Sequence, residues 1–271
     1  FKMARDNNLD YLIVTDHSNW LEGDDYISDR KEYVEKVGSE WNLTKEQVTA
    51  FNAQYSSDFL AMRGFEMTST PWGHINVTNS SDYVEAKKTV TELGDFYEWL
   101  TTEENVVAAF NHPNWPSDSF NDLAYVPEVD HLMAMIEVAN GAPPYSYARA
   151  EEHFFRAMDN GWHVGAINGQ DNHSANWGVP DNLTAVVAED LSNESFMEAL
   201  KQRRIYSTEA RDTKLRVKAN GFWMGSTLDV QDGANLNFDI WGQDETNPID
   251  EIQIISNNGD SVESVKVGEL T

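Results

Sequence analysis

Short apolar runs that each break off in polar residues, separated by stretches with helical spacing, set the strongest limit on what this chain can fold into. "YLIV" is followed by Thr15, Asp16 and His17, "FLAMRGF" by Glu66, and "VVAAF" by Asn111 and His112. "LMAMIEVANG" and "HVGAINGQD" continue the series. Apolar runs of this length bounded by turn formers read as buried strands. Between them, residues 95–104, 147–160 and 193–203 carry helical patterns, the last behind Ser192 as an N-cap. Strand, polar loop and helix in repetition are the signature of an α/β domain, here expected to close as a barrel.

Two parts of the chain stand apart from that rhythm. Residues 20–58 are charged and dotted with aromatics, and read as a helical excursion over one face of the barrel, capped at Thr44 with Gln47 behind it. After about residue 213 the texture changes to alternating and β-branched runs divided by Asn-Gly and Gly-Asp turn signals. The expected division is therefore a barrel over residues 1–212 and a small β-rich, sandwich-like unit over 213–271. The chain opens at Phe1 as though inside a helix, so a further strand is expected upstream of it.

Charge narrows the partners. With 19 Lys+Arg against 46 Asp+Glu, the formal net charge is −27. Such a surface repels nucleic acid, whose binding needs clustered cations to release counterions. It favours a secreted or periplasmic setting over a cytoplasmic one. The sequence contains no cysteine, so disulfides, thiolate ligands and thiol nucleophiles are excluded, and any metal site must use His and carboxylate. No apolar run approaches the length of a membrane helix.

In a barrel of this kind chemistry sits at the C-terminal ends of the strands, and there the sequence is lopsided. His17, Glu66, His112, Asp171 and His173 follow apolar runs, and His74 opens the next strand eight residues after Glu66. Each alone is an ordinary strand-end residue. Four imidazoles and two carboxylates on one rim are a metal site of the kind that suits Mn, Fe or Zn rather than Ca or Mg. Asp171 and His173, two apart on an extended chain, are expected to point to the same side. His131, His153 and His163 read as structural.

Contributions from outside the rim are more open. Lys201, Arg203, Arg204 and Arg211 gather cations in an acidic chain, either as a phosphate fork centred on Arg204 or as solvated charges at a helix end. Trp72, Trp115 and Trp177 lie near candidate ligands and serve either as pocket wall or as core, with Trp177 the candidate substrate contact. Asn111, Glu137 and Asn140 are candidates for orienting ligands, and Asn111 also for touching substrate.

"VTDH", "GFE" with "GHIN", "FNHP" and "GQDNH", in this order, resemble the polymerase and histidinol phosphatase (PHP) superfamily of metallohydrolases. The stretch from Trp177 to Thr208 is similar to its carbaryl-hydrolase-like secreted branch, and the resemblance covers about residues 1–210. It implies a distorted (β/α)7 barrel that holds two or three divalent ions and hydrolyses phosphate esters through a metal-bound hydroxide. Glu66 would be the bridging carboxylate, His74 and His112 would complete one metal, His17 and His173 would bind a second, and Asp171 a third. Asp171, with Glu66, would also be catalytic, orienting the hydroxide and taking a proton. The family's His-x-His on the first strand does not occur in this chain, and the resemblance implies that it lies upstream. A small-molecule phosphate ester is the expected substrate. The alternatives are an amide, carbamate or ester hydrolase of the same fold, and a catalytically silent binding module.

Overall fold

The computed structural model describes residues 1–22, 39–142 and 146–266. Residues 23–38, which belong to the expected helical excursion, lie outside the described residues, as do 143–145 and 267–271.

The chain begins with α1 (Lys2–Asp6), which feeds β1 (Tyr11–Val14). Within the expected excursion, α2 (Glu40–Tyr55) lies against β2 (Leu60–Ser69). The cap of α2 is Ser39, whose side chain accepts from the Asn42 amide at 3.3 Å. Thr44 is not the cap: it sits in the first turns, and its hydroxyl bonds back to the Glu40 carbonyl. Two side-chain ties fix the helix to the strand. Asn52 exchanges two 2.8 Å bonds with the backbone of Ala61, and the guanidinium of Arg63 stacks 3.6 Å over the Trp41 ring while donating to the Trp41 carbonyl.

Strands β3 (Gly73–Thr78), β4 (Val107–Asn111), β5 (Met135–Asn140), β6 (Ala148–Arg149) and β7 (Gly165–Gly169) complete a curled, seven-stranded mixed sheet. It runs β1-β2-β3-β4-β5-β6, with β7 on β5. The uniform parallel alternation expected from the sequence does not hold. β3 runs antiparallel to both β2 and β4. Only Thr70, Pro71 and Trp72 separate β2 from β3, too few for a helical crossover, so the chain must turn back on itself. Elsewhere helices do intervene: α3 (Leu93–Leu100) precedes β4, and α4 (Glu151–Asn160) precedes β7. The helix α5 (Asn193–Lys201), capped by Ser192 as expected, joins β8 (Leu183–Val186) to β9 (Ile205–Thr208), an antiparallel pair of its own.

The core explains the sequence pattern. β4 is buried along its whole length, which is why "VVAAF" reads as an uninterrupted apolar run. Phe65, Phe96, Phe110 and Phe120 are fully buried between the sheet and its helices. Phe120 belongs to a short left-handed turn, with φ near +56°. Its ring occupies the space above Gly73, where a Cβ would lie 2.5 Å from it, and its amide donates to the Trp72 carbonyl. Gly73, at φ +105°, is therefore required twice, by conformation and by contact, and its placement sets the start of β3 one residue before His74.

The remaining strands form β10 (Lys214–Ala219), β11 (Phe222–Trp223) and β12 (Phe238–Gln243) in one sheet, and β13 (Glu251–Ser256) with β14 (Asp260–Lys266) in another. The Asn220-Gly221 signal is realised as a two-residue hairpin with both φ angles positive, the conformation that Asn-Gly favours.

Candidate metal centre

The strand register brings the candidate ligands together. His17, just past β1, makes an isolated parallel bridge to Glu66 on β2. Glu66 faces Asn76 across the hairpin, two residues from His74, and His74 faces Asn111, the neighbour of His112. On a pleated sheet Glu66, Asn76, His74 and Asn111 share one face, and His112, one residue further on, follows a left-handed backbone turn at φ +29°. The side chains converge on the Glu66 carboxylate. Its Oε2 lies 2.7 Å from His17 Nδ1. Its Oε1 lies 3.2 Å from His74 Nδ1, 3.6 Å from His112 Nε2, and 2.9 Å from Asn111 Nδ2, which donates to it. Ligand atoms of His17, Glu66 and His74 all fall within 4.8 Å of one another.

Burial makes this electrostatically tense. Glu66 and His74 are buried, and His17 and His112 half-buried. Burial alone would raise the Glu66 carboxyl, but the imidazoles of His112, His17 and His74 outweigh it and hold the group well below the usual carboxylate range. Burial also works against charge on His112; the Glu66 and Glu137 carboxylates and the Trp115 carbonyl overcome it and push the ring up to about 9. His17 is raised by the same competition, with Glu66, Asp171 and Asp16 on the winning side. A buried anion ringed by imidazoles, in which protons stand where a cation would serve, is a donor set that fits Zn, Mn or Fe.

Asp171 and His173 lie at the exposed edge of this cluster. The His173 ring is 5.6 Å from that of His17. The expected extended geometry does not hold: β7 ends at Gly169, and Asp171 adopts a left-handed φ of +47°. In consequence the two residues turn toward each other, His173 Nδ1 lying 2.9 Å from the Asp171 carbonyl and 3.3 Å from its Oδ1.

The other candidates separate clearly. Trp115 packs edge-on against His74 and tilted against His112, at 5.5 and 5.8 Å, and is half exposed. Trp177 is exposed and lines a cavity of about 1160 Å³ that runs from the cluster between β1 and β8 down to Phe196. Trp72, by contrast, is core, packed on Phe96. Arg204 does not reach the rim. It precedes β9, whose first residue pairs with Val186, whereas the end of β9 pairs with Leu183 on the side of the polar Asn168 and Asn182 network. Arg211 does line the cavity, but its guanidinium is spent on Asp181 and on the carbonyls of Asn7, Gly178 and Pro180. It holds the loop after His173 rather than offering a free fork. Asn111 is buried and donates its amide nitrogen to Glu66 Oε1. Of the remaining histidines, His163 pairs with Asp130 at 2.7 Å and His153 lies on α4, both away from the cluster.

Glu137 is the residue whose position sequence reading left most open. It is buried on β5, and its Oε2 accepts from the His112 backbone amide at 2.6 Å and from Asn140 Nδ2 at 2.9 Å. Burial, partly offset by His112, lifts its carboxyl to about 7. A Cβ added at Gly169 would lie 1.7 Å from Glu137 Oε1. Gly169→Ala is therefore expected to cost about 1–3 kcal/mol through overpacking, measured as a lowered urea midpoint; an unchanged midpoint would contradict this packing.

A two-domain protein from Bacteroides vulgatus containing a predicted PHP-like metal-dependent phosphoesterase superposes on this chain with a TM-score of 0.50 at 21% sequence identity. The two chains share a fold over the matched region. The match covers 76% of this chain and 62% of that one, so this chain spans less than two thirds of that protein's length. PsfC from Pseudomonas syringae gives a TM-score of 0.49 at 14% identity, over 76% of this chain and 80% of PsfC. No protein-family model and no curated protein matches the sequence. Within this fold the imidazole and carboxylate cluster comes from just past the ends of β1 and β4, from inside β2 and from the start of β3. Among the described residues no helix is long and apolar enough to cross a membrane.

Proposed function

We propose that this chain is the catalytic part of a metal-dependent hydrolase acting on small phosphate esters, built on a (β/α)7-type barrel with residues 213–271 as an accessory β unit. The observation that carries the reading is the Glu66 carboxylate, whose two oxygens are addressed from different sides by His17, and by His74 and His112. Both oxygens therefore lie within reach of imidazole donors, and the ligand atoms of His17, Glu66 and His74 are close enough to serve one ion. His17, Glu66 and His74 would hold one ion, with His112, Asp171 and His173 available to one or two more, of Mn, Fe or Zn. When bound, such ions polarise a phosphoryl oxygen and lower the pKa of a coordinated water.

The protein's own groups supply the rest. Asn111 fixes the Glu66 carboxylate through its amide, and Thr68 holds the His17 ring through a 2.7 Å contact to Nδ1. Asp171, exposed beside His17, would accept a proton from the attacking water. Trp115 lies against His74 and His112, and Trp177 lines the cavity. A net charge of −27 disfavours nucleic acid as substrate and supports a secreted or periplasmic setting.

The test is turnover of bis(p-nitrophenyl) phosphate and of a p-nitrophenyl carbamate by protein loaded with Mn, Zn or Fe. Metal-dependent phosphodiester hydrolysis, lost on chelation, is the expected result. Preference for the carbamate would move the assignment to amide and ester chemistry, and no turnover with bound metal would favour a binding module.

A further inference from the structure

We propose that Glu137 is a positioning residue for the metal centre: it locks the exit of β4 so that the His112 ring is aimed at Glu66. The inference rests on the reading of His112 as a ligand. His112 leaves β4 with φ +29°, a left-handed conformation that a non-glycine residue holds only when its surroundings over-determine it. Two sets of contacts do so. The Glu137 carboxylate accepts the His112 backbone amide at 2.6 Å. On the other side the Trp115 amide donates to the His112 carbonyl at 2.9 Å, and the Trp115 carbonyl lies 3.1 Å from Nδ1 of the ring. With Nδ1 so engaged, Nε2 is the nitrogen turned toward Glu66, at 3.6 Å.

Glu137 is itself held on all sides. Asn140, three residues on along β5, donates to the same Oε2, while Oε1 fills the space left by the missing side chain of Gly169 on β7. A ladder irregularity between Glu137 and Ala139 marks the point at which β5 departs from regular pairing with β7. One buried carboxylate thus joins the ends of β4, β5 and β7, and the backbone it fixes carries an imidazole of the cluster. An acid placed there only to fill a polar gap would not need its shorter hydrogen bond to fall on the residue that bends into the site.

The decisive experiment is a double-mutant cycle on the full chain, using E137Q, H112A and the combination, with Mn²⁺ and Zn²⁺ affinity measured by calorimetry. Far-UV circular dichroism is the check on folding. If Glu137 acts through His112, E137Q weakens metal binding about 10-fold or more, the range typical of groups that hold ligands in place. Added to H112A, it then changes affinity less than about threefold. Full multiplicative losses, or an unchanged affinity in E137Q, would overturn the proposal. A second arm needs no metal. In ¹H–¹⁵N spectra of the imidazole rings, E137Q is expected to move the His112 resonances and leave those of His163 in place; unmoved His112 resonances would overturn the proposal. Should the wild-type chain bind no metal at all, the hydrolase reading falls, while the ring spectra still decide whether Glu137 positions His112.

Discussion

Replacing Glu66 by Gln is expected to abolish metal binding while leaving the fold intact. The amide matches the carboxylate in shape, so the buried strand pair β2–β3 loses no volume. What it loses is the charge that draws the three imidazoles together, and one of the two oxygens that face them from opposite sides. The amide nitrogen would also present hydrogens where an ion should sit. The affinity loss should exceed the roughly 10–100-fold cost of removing a group that only supports a ligand, and calorimetric titration with Zn²⁺ or Mn²⁺ measures it. Hydrolytic activity should fall with it. An E66Q protein that still binds metal with wild-type affinity would show that the cluster is a hydrogen-bonded core feature.

A second large effect concerns pH. In the metal-free protein the His112 ring has a folded-state pKa raised to about 9 from its ordinary 6.5, so the stability it contributes is fully present below pH 6.5 and is lost as pH rises through 9. His17, also raised, acts in the same direction. Glu66, held low, contributes stability that is present above its ordinary 4.5 and is lost only as pH falls through its depressed value. The metal-free chain should therefore lose stability between pH 6.5 and 9. The His112 shift alone corresponds to up to about 3 kcal/mol, or a fall in Tm of roughly 6–10 °C for a chain of this size. The surface carboxylates stay ionised across that interval, so their repulsion adds little slope of its own.

Metal reverses the trend. Ligation requires neutral imidazoles, so affinity grows as the rings lose their protons, and an ion at 100 times its Kd adds about 2.7 kcal/mol. Melting curves at pH 6 and 9, with and without Mn²⁺, should show the largest metal effect at the higher pH. A metal-free Tm that stays flat over this interval, or the same slope in an H112Q variant, would contradict the assignment.

Much of the centre was legible because its signal is local. A strand that is buried on both faces announces itself as an apolar run, and the first polar residue after it has few places to go. His17, Glu66 and His112 could be placed on one rim by that rule, and His74 by its place at the start of the next strand. The antiparallel course of β3 was carried in the three-residue interval of Thr70, Pro71 and Trp72, a length that settles strand direction. Other features have no such local trace. The φ of Asp171 depends on where β7 stops pairing, which is set by β5 and not by the "GQDNH" string. Arg204 and Arg211 sit seven residues apart in the same cationic stretch, yet β9 carries one to each end, so only the register of β9 on β8 tells them apart. Glu137 left a faint mark, an acid inside the apolar run "MIEVAN", but its partners come from two other strands.

On the proposed reading, His17, Glu66 and His74 hold a divalent transition metal. Anomalous diffraction at the zinc edge, from crystals of the zinc-loaded protein, tests it most directly. The expected result is a peak about 2.0–2.2 Å from a Glu66 carboxylate oxygen and from a ring nitrogen each of His17 and His74. A cluster without a peak, or a peak confined to surface pairs such as His163 with Asp130, would contradict it.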